Sequence, residues 1–184
     1  MMQNNLSTTD TLPIINGSKV RLRPISDADT ELIVHWRNLP SVKQFFIYRE
    51  PFTAEIHRNW LRNKVETGLV VQYIIEDMLD GRSVGSVYFR DIDAKNQSAE
   101  YGIFIGEDSA RGRGLGSETA KLFTDFGFEF LGLHRISLRL ISGNAAAQRS
   151  YEKAGFVHEG TFRDMVKLDG EFRDVVFMAK LREA

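Results

Sequence analysis

A chain of 184 residues is long enough to bury one ordinary core and short for two. Its formal charge of -1 gives no net field to gather nucleic-acid phosphates or an anionic membrane surface, and no apolar run reaches the roughly 20 residues that span a bilayer. Cysteine is absent, which removes disulfides, thiolate metal sites and any cysteine-borne covalent intermediate.

The opening stretch, Met1 to Asp10, is polar and lacks the basic-then-apolar order of a signal peptide. We therefore expect a flexible tail over residues 1–15, a single domain over 16–184 and a cytoplasmic protein. In residues 19–25, Val20, Leu22 and Pro24 alternate with Arg21 and Arg23 at the period of a strand. Ser26-Asp27 then offers a cap for a helix running to about Asn38. Thr53 caps a second helix, with Ile56, Trp60, Leu61 and the stem of Lys64 on one stripe, which should stop near Gly68. Runs of β-formers at 70–76 and 84–89 are joined by Asp80-Gly81, both of which tolerate positive φ, and a third run at 99–105 extends the meander. The period then changes: Leu115, Thr119, Leu122, Phe123, Phe126 and Phe130 recur at helical spacing until Gly132. Residues 135–141 alternate again, 144–154 suit a helix, and from 156 onward two strands turn at Asp169-Gly170.

Arg111-Gly112-Arg113-Gly114-Leu115-Gly116 falls between a strand and the longest helix, where the first backbone N–H groups have no intrahelical partner. Glycines keep side chains away from those donors, while the helix dipole and two arginines add positive potential, so a pyrophosphate fits. Taken alone, the run suits a glycine-rich turn with solvated arginines equally well. A dinucleotide fingerprint would need its third glycine at Ser117, and a Walker loop would close on Gly-Lys-Ser/Thr; neither pattern is met.

In this setting Arg111-x-x-Gly114-x-Gly116 resembles the acyl-CoA pyrophosphate loop of the GNAT family of N-acetyltransferases. Asn144-Ala145-Ala146-Ala147-Gln148-Arg149-Ser150-Tyr151-Glu152-Lys153-Ala154-Gly155-Phe156 is similar to that family's Asn-to-Tyr helix ending in Gly-Phe. The resemblance runs from about Lys19 to the end. His158-Glu159-Gly160 with the Asp169-Gly170 hairpin is similar to the branch that includes ribosomal-protein N-terminal acetyltransferases. It implies an α/β (α+β) fold, a mixed and mainly antiparallel twisted sheet flanked by helices. It also implies acetyl-CoA as co-substrate, held by Ile103, Phe104 and Ile105 of a strand, by Arg111, Gly112, Arg113, Gly114, Leu115, Gly116 and Ser117 of the loop, and by Asn144 on the pantetheine arm.

By the same resemblance the Tyr151 phenol faces the leaving sulfur. An ordinary phenol pKa near ~10 exceeds a thiol's ~8.5, so the group stays protonated and can donate. A backbone N–H within residues 101–105 is the implied oxyanion donor. Glu100 is the candidate proton acceptor for the amine, although strand alternation alone equally predicts a solvent-facing glutamate there.

The acceptor site is expected in the front half. Trp36, Arg37 and Asn38 close a helix, and Phe45, Phe46 and Tyr48 follow in a loop; aromatics beside polar groups suit a planar or sugar-like ligand. The Trp-Arg-Asn segment, with Phe52 and His57-x-x-Trp60-Leu61, resembles nucleotide-aminosugar N-acetyltransferases of the flagellin-glycan type. The expected partner is accordingly a small-molecule amine, a 4-amino nucleotide sugar ahead of a polyamine or a protein N-terminus. Glu50 and Glu55 are matched by nearby arginines, which makes the polyamine case thin. No nucleic-acid or membrane partner is expected, and a homodimer is left open. The four histidines have no ligand spacing, so no metal is expected. A non-catalytic acyl-CoA sensor would keep the same fold and loop, and Tyr151 argues against it.

Overall fold

The computed structural model describes residues 12–183. Its strands are β1 (Ile15–Asn16), β2 (Val20–Pro24), β3 (Val71–Asp77), β4 (Ser83–Asp93), β5 (Ser98–Ile105), β6 (Arg135–Ile141), β7 (Val157–Leu168) and β8 (Glu171–Leu181). They form one sheet in the order β1-β2-β3-β4-β5-β6-β8-β7, antiparallel throughout except where β5 meets β6. The helices are α1 (Thr30–Asn38), α2 (Pro40–Lys43), α3 (Ala54–Trp60), α4 (Leu115–Glu129) and α5 (Ala145–Lys153). This is the mixed, mainly antiparallel sheet with flanking helices that the family resemblance implied. No helix among the described residues is long and apolar enough to cross a membrane.

Alternation along the central strands builds two cores. Tyr73, Phe89 and Tyr101 turn to α4, where Phe123 stacks on Phe89 with ring centroids 4.4 Å apart and meets Tyr73 edge-on at 5.4 Å. Ile74 and Phe104 turn to the opposite face and pack with Ile33 and Trp36 of α1 and with Leu61 and Val65 after α3. Phe123 is fully buried, so its truncation to Ala would cost about 3–5 kcal/mol.

The feature that positions the site is a break in pairing. β5 and β6 are paired only from Ser98↔Arg135 to Glu100↔Ser137. Beyond that point β6 stays paired to β8 as far as Ile141↔Val175, and β5 stays paired to β4 as far as Gly85↔Ile105. The two strands therefore diverge, leaving one edge of residues 101–105 without a neighbouring strand.

Three expectations are corrected. The tail is ordered sooner than residue 15: Ile15 pairs with Leu22, Leu12 packs on the main core, and the Tyr73 hydroxyl donates to the Pro13 carbonyl at 2.9 Å. The remainder of that expectation, residues 1–11, lies outside the described residues. The second helix leaves α geometry after Trp60 and continues as a π-helical turn over Leu61–Val65. Its buried stripe is His57, Leu61 and Val65, an i, i+4 series, while Ile56 is 45% exposed. His57 takes the inner position because its Nδ1 meets the Thr30 hydroxyl at 3.0 Å.

Candidate active site at the strand splay

A cavity of about 700 Å³ opens at the splay. One wall is the loop between β5 and α4. Gly112 and Gly114 both have positive φ, 73° and 84°, and nothing lies within 4 Å of where a Cβ on Gly112 would sit. The first helical hydrogen bond of α4 runs from the Glu118 N–H to the Gly114 carbonyl at 3.1 Å. The N–H groups of Leu115, Gly116 and Ser117 precede it and have no partner among the described residues, which leaves them open to an anion with the positive end of a 15-residue helix behind them. These features fit a pyrophosphate.

The second wall is α5. Asn144 is its N-cap, with Oδ1 accepting from the Ala147 N–H at 3.2 Å. Capping leaves the Asn144 side-chain NH₂ without a partner among the described residues. Ser150 of α5 shares a hydroxyl–hydroxyl bond of 2.9 Å with Ser117 of α4, which ties this wall to the loop helix. Tyr151, two turns beyond Asn144, lines the same cavity and packs edge-on against Tyr101 and Phe156 at 6.0 and 5.9 Å. Its phenol has no hydrogen bond among the described residues. Burial, with a further push from Tyr88, holds its pKa well above the usual tyrosine range, so it carries its proton.

The floor is β5. Gly106 donates to the Val84 carbonyl of β4 at 2.8 Å. Since successive backbone groups alternate between strand edges, the N–H groups of Ile103 and Ile105 point the other way, into the splay. On that side the Ile105 carbonyl accepts from Arg111 at 3.0 Å, consistent with the same alternation.

The third wall faces α1 and α2. Phe46, Tyr48, Tyr88, Arg90, Glu100 and Arg139 line it. Arg90 and Glu100 are register partners across β4 and β5, and Arg139 reaches Glu100 from β6. Arg90 Nε lies 3.2 Å from Glu100 Oε1 and an Arg139 terminal nitrogen lies 2.9 Å from Oε2. Tyr88 lies across Gly102, whose missing side chain makes room: a Cβ there would come within 2.3 Å of the ring.

Residues 19–157 match the family described as "Acetyltransferase (GNAT) domain". The chain belongs to this family. Spermidine N(1)-acetyltransferase of Escherichia coli (strain K12) is 29% identical over 164 residues, 89% of this chain and 86% of that protein. A putative ribosomal N-acetyltransferase, YdaF of Bacillus subtilis (strain 168), is 27% identical over 175 residues, 89% of this chain and 90% of its own length. Among solved structures, spermidine N-acetyltransferase from Vibrio cholerae in complex with CoA and spermine superposes with a TM-score of 0.82 at 25% identity, covering 90% of this chain and 96% of that one. This GNAT protein is an acetyl-CoA-dependent N-acetyltransferase.

Several residues singled out from the sequence lie elsewhere in this GNAT fold. Trp36 is fully buried, and its Nε1 donates to Glu107 at 2.7 Å. Gly106 is needed beside it, because a Cβ there would come within 2.2 Å of the indole. Arg37 lies under the loop, its guanidinium 3.7 Å over the Phe46 ring and 4.7 Å from Phe52. Asn38 closes that loop by donating to the Val34 and Phe52 carbonyls at 2.9 and 2.7 Å and accepting from the Phe52 N–H at 3.1 Å. None of the three lines the cavity; they hold the segment that carries Phe46 and Tyr48, which do. Arg113 is also corrected: its guanidinium is paired with the carboxylate of Asp77, which is only 3% exposed and needs a cation. Its place at the loop's back is shared by Lys19, whose Nζ lies 3.3 Å from the Arg113 carbonyl. Sequence reasoning missed Tyr88, Arg90 and Arg139. The alternation of Tyr88 with Arg90, and of Ser137 with Arg139, placed each pair on one strand face, but only cross-strand register brings them to Glu100.

Proposed function

We propose that this chain moves an acetyl group directly from acetyl-CoA onto the primary amine of a small molecule, with Tyr151 as the general acid. The observation that carries the reading is a protonated phenol without a partner among the described residues, set on one cavity with the loop amides and the free edge of β5. One of the two N–H groups on the free edge of β5, that of Ile103 or of Ile105, meets the thioester carbonyl oxygen as it gains charge. The amine nitrogen bonds to the acetyl carbon, the C–S bond breaks, and the sulfur takes the phenolic proton. The proton shed by nitrogen passes to Glu100 at Oε2, the less engaged oxygen, or through water to solvent, and Tyr151 is restored from solvent. Direct attack needs no acyl-enzyme, in keeping with a chain that has no cysteine.

A polyamine acceptor is a second reading, supported by the spermidine-named relatives of Escherichia coli and Vibrio cholerae. A 4-amino nucleotide sugar, favoured by the aromatic loop of the front half, has no counterpart among the relatives named above. The deciding experiment measures release of free CoA thiol when acetyl-CoA meets nucleotide sugars, polyamines and N-terminal peptides. Turnover of a small amine is expected, and binding of acetyl-CoA without thiol release from any amine would make the chain a sensor.

A further inference from the structure

The acceptor-facing wall carries an excess of positive charge that acetyl transfer does not require. Arg90 and Arg139 flank a single carboxylate, Glu100, and among the described residues no other acidic side chain lines the cavity. Asp91 approaches Arg90 at 3.7 Å but is 75% exposed, so water screens it. Arg139 is 25% exposed and its Nε is buried without a partner among the described residues. Arg37, behind Phe46, makes no salt bridge among the described residues, and its Nε is likewise buried without a partner. Burial, and then the like charge of Arg90, lower its pKa from the usual arginine range. Buried guanidinium donors without acceptors are costly, and Phe46 stacked on one face of Arg37 fixes the plane of that charge rather than neutralising it.

A cavity wall with two guanidiniums on one carboxylate, and a third guanidinium behind Phe46, repels a chain of ammonium groups and attracts an acid. Planar guanidiniums match the paired oxygens of a carboxylate or phosphate in particular. We infer that Arg90 and Arg139, bridged by Glu100 and backed by Arg37, form an anion-recognising subsite for an acceptor that carries an acidic group as well as its amine. The inference rests on the acetyl-transfer reading and names the substrate class within it. In this arrangement Glu100 pairs with both arginines, and an incoming acid shares them with it.

The test compares matched amines that differ only in the acid: 4-aminobutyrate with 4-aminobutyramide for the carboxylate, glucosamine 6-phosphate with glucosamine for the phosphate, and spermidine as the polycation. The acid should exceed its neutral twin in kcat/KM in at least one pair, by about 10- to 100-fold if one charged hydrogen-bonded contact is gained. That ratio should collapse toward unity in Arg139→Gln and in Arg90→Gln, two variants on different strands, so that a folding defect in one leaves the other to read. Spermidine or the neutral twins outrunning both acids, or a ratio that neither variant moves, overturns the subsite while leaving acetyl transfer intact. Thiol release from no amine at all, in a protein that still binds acetyl-CoA, overturns both readings together.

Discussion

Replacing Tyr151 with Phe isolates one proton. The hydroxyl bonds to nothing among the described residues, and the ring contacts with Tyr101 and Phe156 survive the change. Stability should therefore shift by no more than about 0.5 kcal/mol, or about 1–2 °C in Tm for a chain of this size. Loss of a positioned general acid should lower kcat by about 10²- to 10⁴-fold, equivalent to about 3–5 kcal/mol of barrier. Acetyl-CoA affinity should not follow, because the loop amides and Asn144 are untouched. A pH signature accompanies the magnitude. The phenol donates only while protonated, and burial raises its pKa above the usual tyrosine value, so Tyr151 should impose no alkaline loss of kcat below about pH 10. The assay is single-turnover thiol release across pH, with acetyl-CoA binding measured separately by calorimetry. A variant within about threefold of wild type in kcat, or a wild-type alkaline limb below that pH that disappears in the variant, would refute the assignment.

Two further expectations test the cofactor loop and the frame that supports it. Gly114→Val places a β-branched side chain at φ 84° and its Cβ 3.3 Å from Lys19 Nζ, so the loop must distort; acetyl-CoA Kd should rise at least about 10-fold, and unchanged affinity counts against the loop as the phosphate site. Asp29 is 6% exposed, pairs with Arg23 at 2.6 Å and accepts from the Ser26 N–H at 2.9 Å. Burial pushes its carboxyl up, but the Arg23 guanidinium and the Ser26 donors together outweigh that and hold it below the usual carboxylate range. A lowered folded pKa means the stabilisation is present above the unfolded value near ~3.9 and is lost as pH falls through the folded one. Asp29→Asn should cost about 2–4 kcal/mol at pH 7 in urea unfolding, and the gap should close in acid; a gap independent of pH would show that the charge is not what matters.

The strands at 99–105 and 135–141 and the helix after Gly114 were legible because one face of each is more deeply buried, which leaves a period in the residues, while those at 70–76 and 84–89 are buried on both faces and were legible as runs of β-formers around Asp80-Gly81. The Thr53 cap was equally local, and its hydroxyl does accept the Ile56 N–H at 3.2 Å. The π turn at Leu61–Val65 was not, since a helix pattern does not announce one extra residue per turn. The Trp-Arg-Asn segment misled for a related reason: an aromatic beside polar groups reads as a ligand surface, yet Trp36 finds Glu107 and a hole at Gly106 in the interior.

What the sequence by itself determined was the order of elements, the glycine loop at a helix start and the tyrosine helix that follows, because each is written in neighbouring residues. Only the tertiary structure decided that β5 and β6 part after Glu100, that Arg113 belongs to Asp77, and that Arg90 and Arg139 close on Glu100 from the strands on either side. Those facts depend on strand register and on which buried charge needs a partner, and both are settled between segments far apart in the chain.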